Sequence, residues 1–240
     1  VTENCQNCLA ASCQQVCPRD AIRFVNGKSF IDPGKCIKCG KCAQACDYNA
    51  IIHLERPCQA ACGMDAIGMD ENGKALINQD KCVSCGQCLV SCPFGAIVDK
   101  GQIYQVVRSI VEGDEVYAIA APAFASQFGK DVTVGRLRAA IQALGFKDMV
   151  EVAVGADICT VEEARDFVEK VPAEQPYMAT SCCPAWHAMV HKLFPAQAKN
   201  ISMTLTPMVY TARMVKKDHP NAKIVFVGPC AAKKLEAIRE

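Results

Sequence analysis

Cysteine is the residue type that stands out as able to do chemistry in this sequence. The chain has 18 cysteines in 240 residues, and fourteen of them lie between Cys5 and Cys92. A dense set of thiols serves either as a disulfide framework in a small secreted domain or as a metal site. The spacing between the cysteines separates the two possibilities, because metal ligands recur at short, fixed offsets.

Two stretches follow the spacing Cys-x2-Cys-x2-Cys-x3-Cys. They consist of Cys36, Cys39, Cys42 and Cys46, and of Cys82, Cys85, Cys88 and Cys92. This run is typical of bacterial ferredoxins, in which three thiolates bind one [4Fe–4S] cubane and the fourth binds the neighbouring cluster. Zinc knuckles also use Cys-x2-Cys, but zinc does not require a third and a fourth cysteine at these offsets. The spacing therefore favours iron–sulfur clusters.

The core of this run, Cys-x3-Cys followed by a short stretch ending in Ala-Ile, occurs four times in the first hundred residues. Repeats two and four are the runs just described. Repeat one has a looser triplet, so that its cysteines are Cys5, Cys8, Cys13 and Cys17. Repeat three has only Cys58 and Cys62. These thiols are enough for three cubanes with two left over, and we expect three [4Fe–4S] clusters within residues 1–92.

The sequence leaves open which fourth cysteine completes which triplet. In a nested scheme, repeat one pairs with repeat four and repeat two with repeat three. Cys92 then completes the first triplet, Cys17 the last and Cys62 the second. In another scheme repeats two and four exchange Cys46 and Cys92, and repeat one takes Cys62 or Cys17. Both schemes use the same three Cys-x-x-Cys triplets.

Hydrophobic patterning divides the chain near residue 100. Asn-Gly turns at residues 26–27 and 72–73 predict hairpins inside the cysteine-rich part. Beyond it, strands alternate with helices, which favours an α/β domain with a parallel sheet. Strands are predicted at 116–120, 149–154 and 223–227, and helices at 104–112, 134–144, 160–171, 187–194 and 206–217. The helix at 160–171 has a capping-box pattern, Thr160 with Glu163 three residues on. We therefore predict a ferredoxin-like domain at 1–100 and an α/β domain at 101–240, together an α+β fold.

Composition excludes several function classes. The formal net charge is +1, with 26 basic and 25 acidic residues, so neither nucleic acid nor an anionic membrane is an expected partner. No apolar run is long enough to span a bilayer, and no signal peptide is recognisable. We expect a cytoplasmic protein.

Two segments of the second half resemble the signatures of the [FeFe]-hydrogenases. The first is TSCCPAW at residues 180–186, and the second is GPCAAKKLEA at residues 228–237. The segment at 120–123 is similar to the start of that family's catalytic domain, and repeats two and four are similar to its two-cluster ferredoxin module. The family interconverts protons, electrons and H2 at the H-cluster, a [4Fe–4S] cubane bridged by a thiolate to a two-iron site with CO, CN⁻ and a dithiolate.

The resemblance implies roles for individual residues. Cys183 and Cys230 would bind the cubane, and Cys182 would face the two-iron site as the last proton donor. Lys233 would hold a cyanide by a charge-assisted hydrogen bond. Two further cubane ligands belong to a third signature that residues 1–240 do not contain. We therefore expect a truncated piece of a longer protein, inactive by itself and carrying only the first part of the catalytic domain.

The family also uses a serine and two acidic residues as a proton route. By position these correspond to Thr206, Glu163 and Asp166, the last in place of the usual glutamate. A second departure is Gly228, where the family usually has Met. The resemblance implies an anaerobic hydrogenase that exchanges electrons with a ferredoxin or another redox protein. A hydrogenase-like protein for cluster assembly or H2 sensing, and a ferredoxin-type electron carrier, are the alternatives.

Overall fold

The computed structural model describes residues 1–52 and 55–239. The chain divides into two compact units, Val1–Arg56 and Pro57–Glu240. These units are defined by how compactly the chain packs, whereas the domains predicted from the sequence were defined by their function. The domain boundary predicted near residue 100 therefore stays a prediction. No helix of the described residues is both long and apolar enough to cross a membrane.

The first unit consists of short elements that connect its cysteines. They are α1 (Ser12–Gln15), β1 (Ile22–Val25), β2 (Lys28–Ile31) and α2 (Lys41–Gln44). Strands β1 and β2 form an antiparallel hairpin in which Val25 pairs with Lys28. The two turn residues, Asn26 and Gly27, have φ angles of 49° and 72°, as a type I′ turn requires. This confirms the hairpin predicted from Asn-Gly.

The apolar core of the first unit is small. Its buried members are Cys13, Ile22 and Ile51, and the thiol-bearing Cys17 and Cys42 pack against them. Helix α1 packs on α2. A core of this size gives little hydrophobic stabilisation, which is typical of small domains that depend on bound metal.

The second unit opens with the same local pattern. Its first elements are α3 (Pro57–Ala60), β3 (Ile67–Met69), β4 (Ala75–Ile77) and α4 (Gln87–Val90). Strands β3 and β4 form the second predicted hairpin, with Met69 opposite Ala75. Helix α3 packs on α4.

A three-layered α/β part completes the second unit. Its helices are α5 (Ile103–Val111), α6 (Val134–Ala143), α7 (Val152–Lys170), α8 (Pro184–Leu193), α9 (Pro207–Asp218) and α10 (Ala231–Arg239), and its strands are β5 (Val116–Ala120), β6 (Asp148–Glu151) and β7 (Lys223–Val227). The strands form a parallel sheet in the order β6-β5-β7. The α+β class predicted from the sequence, with a ferredoxin-like part and a parallel sheet, is confirmed.

The central strand β5 is buried along its whole length. Tyr117 and Ile119 belong to one core, with residues from α9 and the start of α7. Ala118 and Ala120 belong to another, against Leu137 and its neighbours on α6. Because side chains alternate across a strand, one strand serves both faces of the sheet. This explains the continuous apolar run.

Helix α7 corrects the sequence prediction for residues 149–171. Strand β6 ends at Glu151, and the helix begins directly at Val152 instead of at Thr160. Thr160 lies inside the helix, where its hydroxyl donates to the carbonyl of Ala156 at 2.8 Å. The predicted capping box is therefore wrong. The apolar run at residues 149–154 resembled a longer strand, and the Thr160–Glu163 pattern resembled a helix start.

Candidate metal centres

The four cysteine repeats share one backbone arrangement around their last cysteine. The N–H of the residue four positions on donates to its Sγ at 3.3–3.4 Å, in the pairs Ala21–Cys17, Ala50–Cys46, Ala66–Cys62 and Ala96–Cys92. The residue three positions after each cysteine has a positive φ, at Asp20, Asn49, Asp65 and Gly95. Hydrogen bonds to sulfur favour the thiolate, which is the form that binds iron.

The triplets of repeats two and four have a second shared feature. Lys38 donates its N–H to the Sγ of Cys36, and Ser84 donates to the Sγ of Cys82, both at 3.4 Å. These donors have φ angles of 55° and 56°, a left-handed conformation that turns the loop around the sulfur. The first triplet uses another donor, because Ser29 of β2 donates its N–H to the Sγ of Cys5 at 3.3 Å.

The thiols within the triplets of repeats two and four lie close enough to interact electrostatically. Burial raises the pKa of the Cys42 thiol, and negative charge on Cys36 and Cys39 raises that pKa further. The pKa of Cys88 is raised in the same way by burial and then by Cys82 and Cys85. Thiolates that repel one another in this way are stabilised by a cation among them.

The donor set fits iron–sulfur clusters better than single ions. All 18 cysteines are free thiols. Their spacing supplies three thiolates from one loop and a fourth from another repeat, which is the ligand pattern of a cubane. Soft thiolates supported by backbone N–H groups suit such a cluster.

In the first signature, Cys183 is the N-cap of α8. Its Sγ accepts the N–H of Trp186 at 3.5 Å, and Pro184 occupies the first turn. A thiolate at this position also interacts favourably with the positive end of the helix dipole. Cys182 and Cys183 are both exposed, while Ser181 beside them is buried and donates its hydroxyl to the carbonyl of Thr204 at 3.0 Å.

The second signature joins β7 to α10 and brings Lys233 to the first. The Nζ of Lys233 donates to the carbonyl of Cys182 at 3.0 Å and to the carboxylate of Glu236 at 2.7 Å. The side chains of Lys233 and Glu236 are only 12% and 14% exposed. Cys230, at the start of α10, is exposed. The two signatures thus meet at a partly buried ammonium group.

The space around residue 228 explains why this position is a glycine. A Cβ at this position would lie 2.6 Å from Cζ of Phe226 and 2.9 Å from Cβ of Ala121. The Phe226 ring therefore fills the space that any side chain at 228 would need, and only glycine fits without rearrangement.

Of the predicted proton-route residues, two contain buried polar atoms with no partner. Oε1 of Glu163 and Oγ1 of Thr206 make no hydrogen bond to any described residue. Thr206 precedes α9 and lines a cavity of about 180 Å³ together with Ser181 and Glu236. Asp166 is placed differently, because its carboxylate pairs with Lys170 at 3.0 Å.

Cys159 also lies near this site, although its spacing gave no sign of it. It is buried within α7, and burial raises the pKa of its thiol. Negative charge on Glu163 and Cys182 raises that pKa further, while Lys233 lowers it. Its burial is that of a small core residue.

The triplet of repeat four lies beside the second signature. Cys85 and Cys230 line the same cavity, of about 300 Å³. A Cβ at Gly86 would lie 3.2 Å from the Cβ of Ala231, so the loop and α10 are in close contact. Lys192 of α8 donates its Nζ to the carbonyl of Cys82 at 2.8 Å. Lys234 forms an ion pair with Asp99 and donates a hydrogen bond to the carbonyl of Lys100 at 2.9 Å.

Sequence reasoning missed Glu236 and Lys192. Glu236 lies three residues after Lys233, a spacing that places both on one helix face, so the pair was recognisable. Lys192 was not recognisable, because its contact with Cys82 spans 110 residues. The other predicted roles, from the triplets to Cys183 and Cys230, stay predictions.

The cysteine repeats and the parallel sheet with cysteines at its loops define an iron–sulfur protein of the oxidoreductase class. Family profiles agree with this. The profile of the 4Fe-4S binding domain matches residues 29–52, and that of the LdpA Fe-S cluster-binding domain matches residues 52–103. The profile of the iron-only hydrogenase large subunit, C-terminal domain, matches residues 114–240, more than half of the chain. The chain belongs to the iron-only hydrogenase family.

Individual relatives support the same assignment. Iron hydrogenase 1 of Clostridium pasteurianum is 32% identical over 244 residues, which cover 92% of this chain and 42% of that protein. The periplasmic [Fe] hydrogenase large subunit of Nitratidesulfovibrio vulgaris is 32% identical over 240 residues, covering 92% and 52%. The chain thus spans about half the length of these relatives. A solved [FeFe]-hydrogenase, from a study of oxygen inactivation at its H cluster, shares the fold with a TM-score of 0.52 and 24% identity over 58% of this chain and 42% of its own.

Proposed function

We propose that this chain carries the electron relay and the first part of the catalytic site of an [FeFe]-hydrogenase, which interconverts 2H⁺ + 2e⁻ and H2. The observation that carries the proposal is the contact between the two signatures. Lys233 joins them through the carbonyl of Cys182, although 51 residues separate the two along the chain.

The chain's own residues fit the H-cluster. Cys183 and Cys230 would supply two thiolates to its cubane, and the cluster would supply the two-electron chemistry of hydrogen. Lys233 has three N–H donors, and two of them bind Cys182 and Glu236. The third has no partner among the described residues and is available to an anionic ligand such as cyanide.

Proton transfer would use Cys182, Thr206, Glu163 and Asp166. Cys182 is exposed beside the proposed cofactor position, and its thiol can hold a proton there. The orphaned Glu163 Oε1 and Thr206 Oγ1 are buried. Glu163 interacts electrostatically with Cys159, as Cys182 and Lys233 do, and Thr206 lines a cavity with Ser181. A buried polar atom without a partner costs free energy, so a function, such as a hydrogen bond to transferred protons or to ordered water, is the expected reason for its presence.

Electrons would enter through the ferredoxin-like repeats. The Cys82–Cys85–Cys88 triplet shares a cavity with Cys230, so a cluster there would lie next to the catalytic cubane. We propose that the external donor or acceptor is a ferredoxin or a similar redox protein. Cluster loops of this kind need their cysteines kept as thiolates, which suits a reducing, anaerobic cytoplasm, the location we propose.

The test uses the full-length protein, matured without oxygen with the two-iron cofactor supplied. We expect infrared bands of bound CO and CN⁻, and H2 evolution from reduced viologen. Cys182→Ser should keep the bands and lower H2 evolution by about 10²-fold or more, because the last proton donor is lost. Cys159→Ser is the matched control, since it changes a nearby thiol outside the proposed route.

The other outcomes separate the alternatives. Bands without H2 evolution from the unmodified protein would favour a hydrogenase-like sensor or assembly protein. Iron and sulfide at the level of the ferredoxin clusters, with no bands, would indicate an electron carrier and contradict the hydrogenase proposal.

A further inference from the structure

The cysteine repeats pack in pairs along the chain. Helix α1 of repeat one packs on α2 of repeat two, within the first unit. Helix α3 of repeat three packs on α4 of repeat four, within the second unit. Two repeats that pack on each other are the structural basis of ligand exchange in two-cluster ferredoxins, where each fourth cysteine binds its neighbour's cluster.

Backbone hydrogen bonds in the first unit bring together the segments that this exchange would join, in both directions. Thr2, which leads into the first triplet, donates its N–H to the carbonyl of Ala50 at 2.7 Å. The N–H of Ala50 in turn donates to the Sγ of Cys46. The first triplet thus begins beside the fourth cysteine of repeat two.

The reverse exchange has the same geometry. Asp32, which leads into the second triplet, donates its N–H to the carbonyl of Ala21 at 2.8 Å. The N–H of Ala21 donates to the Sγ of Cys17. Cys17 and Cys42 also pack against the same apolar cluster. The second triplet therefore lies beside the fourth cysteine of repeat one.

The second unit reproduces one half of this arrangement. Asn78, which leads into the last triplet, donates its N–H to the carbonyl of Ala66 at 2.8 Å. Ala66 donates its own N–H to the Sγ of Cys62. These contacts correspond residue by residue to those of Asp32, Ala21 and Cys17. They place Cys62 beside the last triplet.

The second unit lacks the other half of this arrangement, because repeat three has no complete triplet of cysteines. When Cys58 is aligned with Cys42, the first two positions of the triplet fall on Ile52 and Glu55. The site that corresponds to the first cluster of the first unit therefore has only Cys58 and Cys92 as possible ligands. Two thiolates do not complete the four ligands of a cubane. Cys58 is 7% exposed, much like the proposed ligand Cys13 at 6%, so the missing triplet and not burial distinguishes the two positions.

We infer that residues 1–92 hold three [4Fe–4S] clusters with ligands exchanged only between neighbouring repeats, and that Cys58 and Cys92 bind no iron. The ligand sets are Cys5, Cys8, Cys13 and Cys46; Cys36, Cys39, Cys42 and Cys17; and Cys82, Cys85, Cys88 and Cys62. Each set is drawn from one unit. Repeat three thus contributes one ligand and a packing surface, without a cluster of its own.

The test compares Cys62→Ala with Cys92→Ala. Both residues are fourth cysteines of their repeats, both are partly buried, and both accept the N–H of an alanine four positions on. The chain of residues 1–240 is reconstituted without oxygen with ferrous iron and sulfide, and iron and sulfide per chain are measured. Spin counting after reduction gives the number of intact cubanes independently. The iron content of each variant is compared with that of the unsubstituted chain. Iron held at Cys183 and Cys230 contributes equally to both and does not affect the difference.

We expect about twelve iron atoms at the ferredoxin sites of the unsubstituted chain. Cys92→Ala and Cys58→Ala should retain all of them, whereas Cys62→Ala and Cys46→Ala should each lose one intact cubane. Serine variants at the same positions, with circular dichroism, distinguish the loss of a ligand from a failure to fold.

Three results would overturn the inference. Loss of a cubane in Cys92→Ala, with Cys46→Ala unaffected, would establish the nested pairing. Loss in both would establish exchange between repeats two and four. About sixteen irons that fall to twelve in Cys58→Ala would reveal a fourth cluster. The measurement does not depend on H2 chemistry, so the absence of CO and CN⁻ bands in the full-length protein would contradict the proposed function alone.

Discussion

Individual residues of this protein are positioned to stabilise charge at the candidate metal centres. Backbone N–H groups point at the cysteine sulfurs of all four repeats, and left-handed residues such as Lys38 and Ser84 turn the loops toward them. At the signatures, the Lys233–Glu236 pair is largely buried, so its ammonium group is held in one position. A fixed donor of this kind stabilises a developing or bound anion at little cost in reorganisation.

The proton route gives a prediction at this scale. Glu163→Gln removes the titrating group but keeps the size of the side chain. We expect H2 evolution by the full-length protein to fall by about 10²- to 10⁴-fold, with unchanged CO and CN⁻ bands, because proton transfer is interrupted while the cluster is retained.

The neighbouring Glu162 provides the control for this prediction. Its carboxylate pairs with Arg165 on the surface, at 3.1 Å. Glu162→Gln should leave the rate within about two-fold, since surface substitutions of this kind have small effects. Equal losses of H2 evolution in both variants would show that the acidic residues of α7 act through their net charge and not as a proton route.

Among the secondary-structure elements, the contact between α7 and α9 decides where the proposed proton-route residues lie. A Cβ at Gly155 of α7 would lie 2.3 Å from the carbonyl oxygen of Pro207 and 2.3 Å from Oγ1 of Thr211. Thr211 is completely buried, and its hydroxyl donates to the carbonyl of Pro207 at 2.8 Å. The absence of a side chain at Gly155 therefore allows α9, with Thr206 just before it, to approach α7.

Gly155→Ala should destabilise the second unit. The added methyl group meets backbone as well as side chain, so the helices must separate, and we expect a loss of about 2 kcal/mol or more in the free energy of unfolding. Denaturant titration followed by circular dichroism measures this loss.

Gly135 in α6 is the matched control for Gly155. A Cβ there has only Oγ1 of Thr133 nearby, at 3.9 Å. Because alanine is the better helix former, Gly135→Ala should leave stability unchanged or raise it by up to about 1 kcal/mol. If Gly155→Ala behaved in the same way, the close approach of α7 and α9 would not be what fixes their packing.

For the whole molecule, the two units differ in what stabilises them. The first unit has a few buried residues and two of the inferred clusters. The second has an apolar core around β5, which extends over both faces of the sheet. Binding of a ligand to the folded state alone stabilises it, and the effect is largest where the core contributes least.

Removal of iron should therefore unfold the first unit before the α/β part. With an iron chelator present, we expect protease cleavage within residues 1–56 and resistance within residues 114–239, as read by mass spectrometry of the fragments. The same chelator preloaded with zinc should leave the pattern unchanged. Simultaneous cleavage of both regions would show that the clusters stabilise the whole chain together.

The sequence by itself determined the features that depend on local spacing. Cys-x2-Cys-x2-Cys fixes a loop around one cubane, Asn-Gly fixes a tight turn, and the apolar runs at Val116–Ala120 and Lys223–Val227 fix strands, of which the first is fully buried. The signatures around Cys182 and Cys230 identified the family. Each of these patterns lies within a few residues, so neighbouring side chains and backbone angles are sufficient to specify it.

Only the tertiary structure decided what depends on contacts between distant segments. The start of α7 was predicted at Thr160 instead of Val152, because intrinsic propensity does not include the partner helix α9. The contacts of Lys192 with Cys82 and of Lys233 with Cys182 span 110 and 51 residues. The pairing of the repeats likewise rests on which of them pack together. Equivalent cysteines at equal spacings leave that choice open, and only packing between the repeats distinguishes them.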